Sequence, residues 1–207
     1  MQRHLLAACA ATLLASATAS FAQDFVTGTH ADVNIPVTRA TMGASGATKM
    51  VGGAPMYPGK DIIDNAMHSR DHTTLVAAVK AAGLVDTLKG SGPFTVFAPT
   101  NTAFSMLPAG TVDMLLKAEN KAMLTQVLTY HVVPGRIDAA VLADQIRAGG
   151  GHAMLKTASG GMLTAAMRGK DVVIWDAKGN AAVVTTADVY QSNGVIHVVD
   201  KVLMPGG

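Results

Sequence analysis

The chain has 207 residues, with 16 Lys plus Arg against 14 Asp plus Glu and a formal charge of +2. Aromatic residues make up 4% and no basic cluster occurs, which argues against nucleic acid as a partner, whether paired or single-stranded. That length suits one domain plus a tail and buries roughly 70% of the unfolded surface, so size imposes no need for a metal or a staple.

Arg3 followed by the Ala/Leu-rich run Leu5 to Ala19 reads as a secretory leader, too short for a membrane span of about 20 residues. Ser20-Phe21-Ala22 places small residues where a signal peptidase inspects them, so cleavage is expected before Gln23, with residues 1–22 as the signal peptide. Leu6-Ala7-Ala8-Cys9 resembles a lipid-attachment box, but the apolar run continues well past Cys9 and the reading is set aside. Cys9 is the only cysteine, so the exported chain has no disulfide and relies on its core. Loss of Arg3 leaves fifteen basic and fourteen acidic residues, a charge of +1. A secreted or periplasmic location is expected.

Residues 23–58 are rich in Gly, Ala, Thr and Met, and Gly43, Gly46, Gly52, Gly53, Pro55 and Pro58 interrupt any periodicity. They read as a flexible linker or tail. Residues 59–207 read as the single folded domain. Asp61 opens a helix to Met67; a second runs from Leu75 to Ala82, stopped by Gly83; Leu84 to Leu88 continues the apolar pattern. From Gly92 to Phe104 the chain holds a complete strand-to-helix junction. Pro93 suits a first strand position, Phe94 to Phe97 alternates in size, Pro99 ends the strand, and Thr100 and Asn101 are both good N-caps. Helices are expected from Thr111 to Lys117, Glu119 to Thr129 and Asp138 to Ala148. Tyr130 to Val133 reads as a strand ending at Pro134-Gly135.

Downstream the period changes from 3.6 toward 2. Strands fit residues 153–157, 162–167, 172–175, 181–186 and 195–199, separated by Gly- and Asn-containing turns. Helices come mostly first and strands mostly last, which favours α+β with an antiparallel sheet over repeated βαβ units.

Three segments together carry a resemblance. Thr95-Val96-Phe97-Ala98-Pro99-Thr100-Asn101-Thr102-Ala103-Phe104, Leu128-Thr129-Tyr130-His131-Val132-Val133, and the run from Asn193-Gly194-Val195-Ile196-His197 to Pro205 are similar to the three ordered signatures of the fasciclin domain. The resemblance covers about Asp61 to Pro205. It implies a wedge-shaped β-sandwich flanked by several helices, used for adhesion and extracellular contacts rather than catalysis. It also implies that the Tyr130-His131 region contributes to partner recognition in some animal members. Thr95, Phe97, Pro99, Thr100, Asn101, Phe104, Asn193, Gly194 and His197 are then the structural residues of the motif. Asn101 stands where many members have Asp, and a single domain stands where adhesion proteins of the family often carry several.

Tyr130 and His131 are the candidate partner contact. As successive strand residues they point to opposite faces, so either one is accessible or both stabilise the strand. His197 reads as a packed strand histidine. His68 and His72 have the i, i+4 spacing of a zinc or copper clamp, with Asp71 beside them, but Ser69 to Asp71 reads as a gap between helices and no third ligand accompanies them. Of the twelve methionines, Met42, Met50 and Met56 are the spaced cluster in the tail, while Met114, Met123 and Met162 fall at apolar positions expected in the core. No nucleophile elbow, Walker loop, dinucleotide fingerprint or His-Glu-x-x-His occurs, and Gly149-Gly150-Gly151 follows a helix rather than opening one. The sequence therefore reads as a monomeric, non-enzymatic binding module without cofactor or metal. Its partner is an envelope or extracellular protein or glycan. The rival reading is a metal or small-ligand carrier using His and Met positions.

Overall fold

The computed structural model describes residues 47–206. The leader, its cleavage position, Cys9 and residues 23–46 of the expected tail lie outside the described residues. The first elements among the described residues are a hairpin, β1 (Lys49–Val51) and β2 (Ala54–Met56), where a structureless tail reaching Pro58 is expected. Gly52 and Gly53 are not breakers here: their φ values of 58° and 74° make the two-residue turn. Val51 and Met56 are buried in the core, so the folded unit starts ahead of residue 59.

Seven short helices follow the expected order. These are α1 (Ile62–Ala66), α2 (Thr73–Ala82), α3 (Val85–Lys89), α4 (Asn101–Ser105), α5 (Thr111–Leu116), α6 (Lys121–Tyr130) and α7 (Ala139–Ala148). Their starts follow local capping chemistry: the side chains of Asp61, Thr100 and Asp138 accept from the amides of Asp64, Ala103 and Val141. Gly83, left-handed, closes α2.

The remaining strands are β3 (Phe94–Pro99), β4 (Val132–Pro134), β5 (His152–Lys156), β6 (Met162–Arg168), β7 (Asp171–Trp175), β8 (Ala181–Gln191) and β9 (Gly194–Val199). They form one sheet in the order β4-β3-β9-β8-β7-β6-β5. All pairs are antiparallel except β3–β9, which is parallel, so the sheet is mixed where an antiparallel one is expected. The helical region and the meander both lie between β3 and β9 in sequence, and that long connection lets the two strands run the same way. Their close approach needs a glycine: a Cβ on Gly194 would stand 2.1 Å from the Phe94 carbonyl oxygen.

Two cores result from alternate faces of the same strands. Val96, Ala98, Ile196 and Val198 face the helices, packing with Leu75, Val79, Leu124 and Val127. Phe97 and Val199 face the other way, onto Leu155, Leu163 and Ile174 from the β5–β7 end of the sheet. The sheet thus curls over its own second core, with α7 closing it through Leu142 and Ile146, and the α+β wedge is complete. Among the described residues no helix is long and apolar enough to cross a membrane.

Candidate partner-recognition site

Tyr130 and His131 do not lie in a strand. Tyr130 is the last residue of α6 and His131 its C-cap, because Leu124, Val127 and Leu128 keep the helix against the core up to that point. Both side chains turn inward, with relative exposures of 0% and 3%, so neither is offered to a partner from the surface.

Their polar atoms are fully used. The Tyr130 hydroxyl donates to the Met162 carbonyl at 2.7 Å and accepts from the Ala177 amide at 2.9 Å. The His131 ring bonds the Val127 carbonyl through Nδ1 (2.8 Å) and the Leu203 amide through Nε2 (2.9 Å). A carbonyl only accepts and an amide only donates, so the neutral ring with its proton on Nδ1 satisfies both. Beside them the buried Asp176 gathers the amides of Lys178, Asn180 and Met204 and the Asn180 side chain. Three segments far apart in the chain are pinned together by this staple: the end of α6, the β7–β8 turn and the C-terminal segment at 203–204. Asp176 is a residue the sequence reading missed. Its signal is local, an Asp opening the Lys178-Gly179-Asn180 turn.

The structural residues of the other two segments also face inward or bond locally. Thr95 donates from Oγ1 to the Gly135 carbonyl and accepts from the Ile137 amide. Phe97 stacks on His197 with centroids 5.7 Å apart. His197 bonds the Ile137 carbonyl through Nε2 at 2.8 Å. Pro99 ends β3 and Phe104 is buried in the helical core. Asn193, buried, accepts from the Ile62 amide and donates to the Leu88 and Gly90 carbonyls. Thr100 alone caps α4. Asn101 instead accepts from the Thr74 amide and donates to the Thr73 hydroxyl and the Arg70 carbonyl, the last a pure acceptor that a carboxylate could not serve.

The spacing of His68 and His72 does not produce a clamp. The His68 ring bonds the Asp64 carbonyl, while His72 is buried and bonds the Ser69 hydroxyl through Nδ1. The His72 Nε2 has no hydrogen-bond partner and borders an apolar cavity of about 40 Å³, a space for a guest of water size. Among the described residues no three His, Cys, Asp or Glu side chains converge on one point. Met114, Met123 and Met162, expected in the core, are 57%, 54% and 40% exposed. In each case the next residue, Leu115, Leu124 or Leu163, takes the inward position instead.

Burial holds the His131 imidazole down to about 4, against an ordinary value near 6.5, with the Val127 carbonyl and Asp176 opposing. Burial also lowers His72 and His197, and raises Tyr130. A histidine lowered in the folded state binds fewer protons folded than unfolded. Its contribution is therefore intact above pH 6.5 and lost as pH falls through about 4. For His131 the interval from 6.5 to about 4 corresponds to about 3 kcal/mol, and the other two act in the same direction. The Tm is expected to be flat above pH 6.5 and to fall steeply below it, less steeply in His131→Gln. A Tm unchanged down to pH 4 would contradict the buried neutral ring.

Next to the staple the surface opens into a groove of about 790 Å³, running between the α4–α5 loop and the β7–β8 turn. Met106, Leu107 and Pro108 form one wall; Asn180, Lys201 and Met204 line the other. Asn180 and Met204 are the residues that Asp176 holds, so the staple fixes this wall from behind.

The domain is thus a curled mixed sheet under a helical layer, with its signature polar residues bonded to other segments of the chain. The fasciclin domain family model matches residues 70–205, and the chain belongs to that family. Protein sll1483 of Synechocystis sp. is 46% identical over 169 residues, which are 82% of this chain and 87% of that protein. Immunogenic protein MPB70 of Mycobacterium bovis is 39% identical over 145 residues, 68% of this chain and 66% of that one. The pig transforming growth factor-beta-induced protein ig-h3 is 37% identical over 134 residues, 63% of this chain and 17% of its own length. A FAS1 domain pair from the insect cell adhesion molecule fasciclin I shares the fold with a TM-score of 0.63 at 18% identity; the match covers 70% of this chain and 51% of the pair.

Proposed function

We propose that the protein is an exported, non-enzymatic binding module that contacts a protein at the cell envelope or outside the cell, and that the contact is made through the groove beside the staple. Family membership supports the contact role, since one structural neighbour is a domain pair from a cell adhesion molecule. The observation that carries the site is the groove wall itself: Asn180 and Met204 are fixed by Asp176, and their neighbours Ala177 and Leu203 by Tyr130 and His131. Tyr130 and His131 then influence recognition by position, without touching the partner.

A protein fits this groove better than a glycan. Its lining contains no aromatic ring on which a sugar could stack and one charged residue, Lys201. Met106, at 61% exposure, supplies an adaptable apolar contact. Placing a photocrosslinker at Met106 of the full chain in producing cells is expected to trap one discrete protein, and Met106→Asp is expected to abolish binding of that protein with the fold intact. The same label at Lys170, in the β6–β7 turn, is expected to trap nothing. Equal crosslinking from both positions, or capture of glycan alone, would remove the groove from the account.

A further inference from the structure

Twelve methionines occur in the chain; Met1 and Met42 lie outside the described residues, which leaves ten. Eight of these are at least 40% exposed: Met50, Met67, Met106, Met114, Met123, Met154, Met162 and Met167. The only other large apolar side chains exposed among the described residues are Tyr57 and Val141, and no described Leu, Ile or Phe is among them. If these positions merely tolerated an apolar residue, Leu and Ile would share them. The exposed apolar positions are thus held almost entirely by the thioether side chain.

Two further observations separate this pattern from a docking patch. The eight residues belong to or directly follow seven different elements, β1, α1, α4, α5, α6, β5 and β6, and so are spread along the described chain. The core is almost free of sulfur: Met56 is the one methionine buried in the first core, the second has none, and Met204 is half-buried at the edge. With Cys9 the sole cysteine, no thiol in the described residues competes for an oxidant.

We propose that these eight methionines form a sacrificial acceptor of two-electron oxidants, namely hydroperoxides and hypohalous acids. The sulfur lone pair attacks the terminal peroxide oxygen, the O–O bond breaks, and the products are the sulfoxide and an alcohol or water. With hypochlorous acid, sulfur takes the chlorine as a chlorosulfonium and hydroxide leaves; water then displaces chloride to give the sulfoxide and two protons, one of which neutralises the hydroxide, so the net products are sulfoxide, chloride and one proton. Sulfur is oxidised by two electrons and the oxidant reduced by two in each case. A sulfoxide is polar, so it disrupts a core but is well solvated at an exposed position. The fold therefore absorbs several oxidation events where a chain with core methionines would unfold.

The test uses the full chain titrated with hydrogen peroxide or hypochlorous acid, read by site-resolved peptide mass and near-ultraviolet circular dichroism. The eight exposed sites are each expected to gain about 16 Da while Met56 reacts at least about tenfold more slowly, with the near-ultraviolet spectrum retained. Methionine sulfoxide reductases are expected to restore the original mass. Replacing the eight by Leu is expected to remove the protection that the wild-type chain gives to free N-acetylmethionine in the same tube; a Met→Gln set replaces it if the Leu variant aggregates. Oxidation of Met56 within about twofold of the surface rate, loss of the spectrum before eight oxygens are taken up, or equal protection by wild type and the substituted variant would each overturn the proposal.

Discussion

Tyr130→Ala is expected to be the most damaging single substitution in the domain. Its ring is fully buried, and truncating such a ring costs about 3–5 kcal/mol. The loss also leaves the Met162 carbonyl and Ala177 amide without their partner, at about 1–3 kcal/mol for each group that water cannot reach. Together these are comparable with the whole stability of an ordinary domain, about 5–15 kcal/mol, so the variant is expected to be largely unfolded. Tyr130→Phe separates the two contributions, because it keeps the ring and removes only the hydroxyl. It is expected to lose only the hydroxyl's share, about 1–3 kcal/mol for each of the two groups left unpaired, and so to be more stable than Tyr130→Ala, measured by denaturant unfolding of the full chain. Tyr130→Ala with wild-type stability and no binding would make Tyr130 a contact residue after all.

Phe97→Ala is expected to cost about 3–5 kcal/mol. The ring lies at the centre of the second core, completely buried and stacked on His197. Removing it opens a cavity between the two ends of the curled sheet, and the His197 ring loses the surface that positions it toward the Ile137 carbonyl. Phe97→Leu, which refills most of the volume, is expected to recover more than half of the loss. A folded Phe97→Ala that lost partner binding at unchanged stability would move the functional surface to β3.

Much of this architecture is legible in the sequence because its signals are local. Asp61, Thr100 and Asp138 cap the helices they precede, and the alternation of β5 and β6 and the β-branched apolar runs of β7 and β9 mark those strands to within a residue or two. The features that escape depend on distant partners. Tyr130 faces inward because its hydroxyl finds groups 32 and 47 residues away, and nothing in the Leu128 to Val133 stretch announces them. Gly52-Gly53 reads as an interruption until Val51 and Met56 are given a core to enter. Strand β8 continues to Gln191, past the residue 186 at which its alternation stops, through two register shifts and Asp188 in the left-handed region at φ 55°. The Asp188 carboxylate accepts from the Ala139 amide, so a tertiary bond holds what the pattern alone would end. The exposed methionines escape for a different reason: an apolar residue at helical spacing is ordinarily core, and only the finished packing shows Leu and Val already filling those places.

The proposed role of the Tyr130-His131 pair is to hold the groove wall from inside without meeting the partner. Side-chain nitrogen spectroscopy of His131 across pH tests it most directly. A ring that stays neutral, protonated on Nδ1, until about pH 4 is the predicted result, since burial and the Leu203 amide both disfavour a second proton. A ring that titrates near its ordinary value of 6.5 and shifts on adding a partner would place His131 at the surface and contradict the claim.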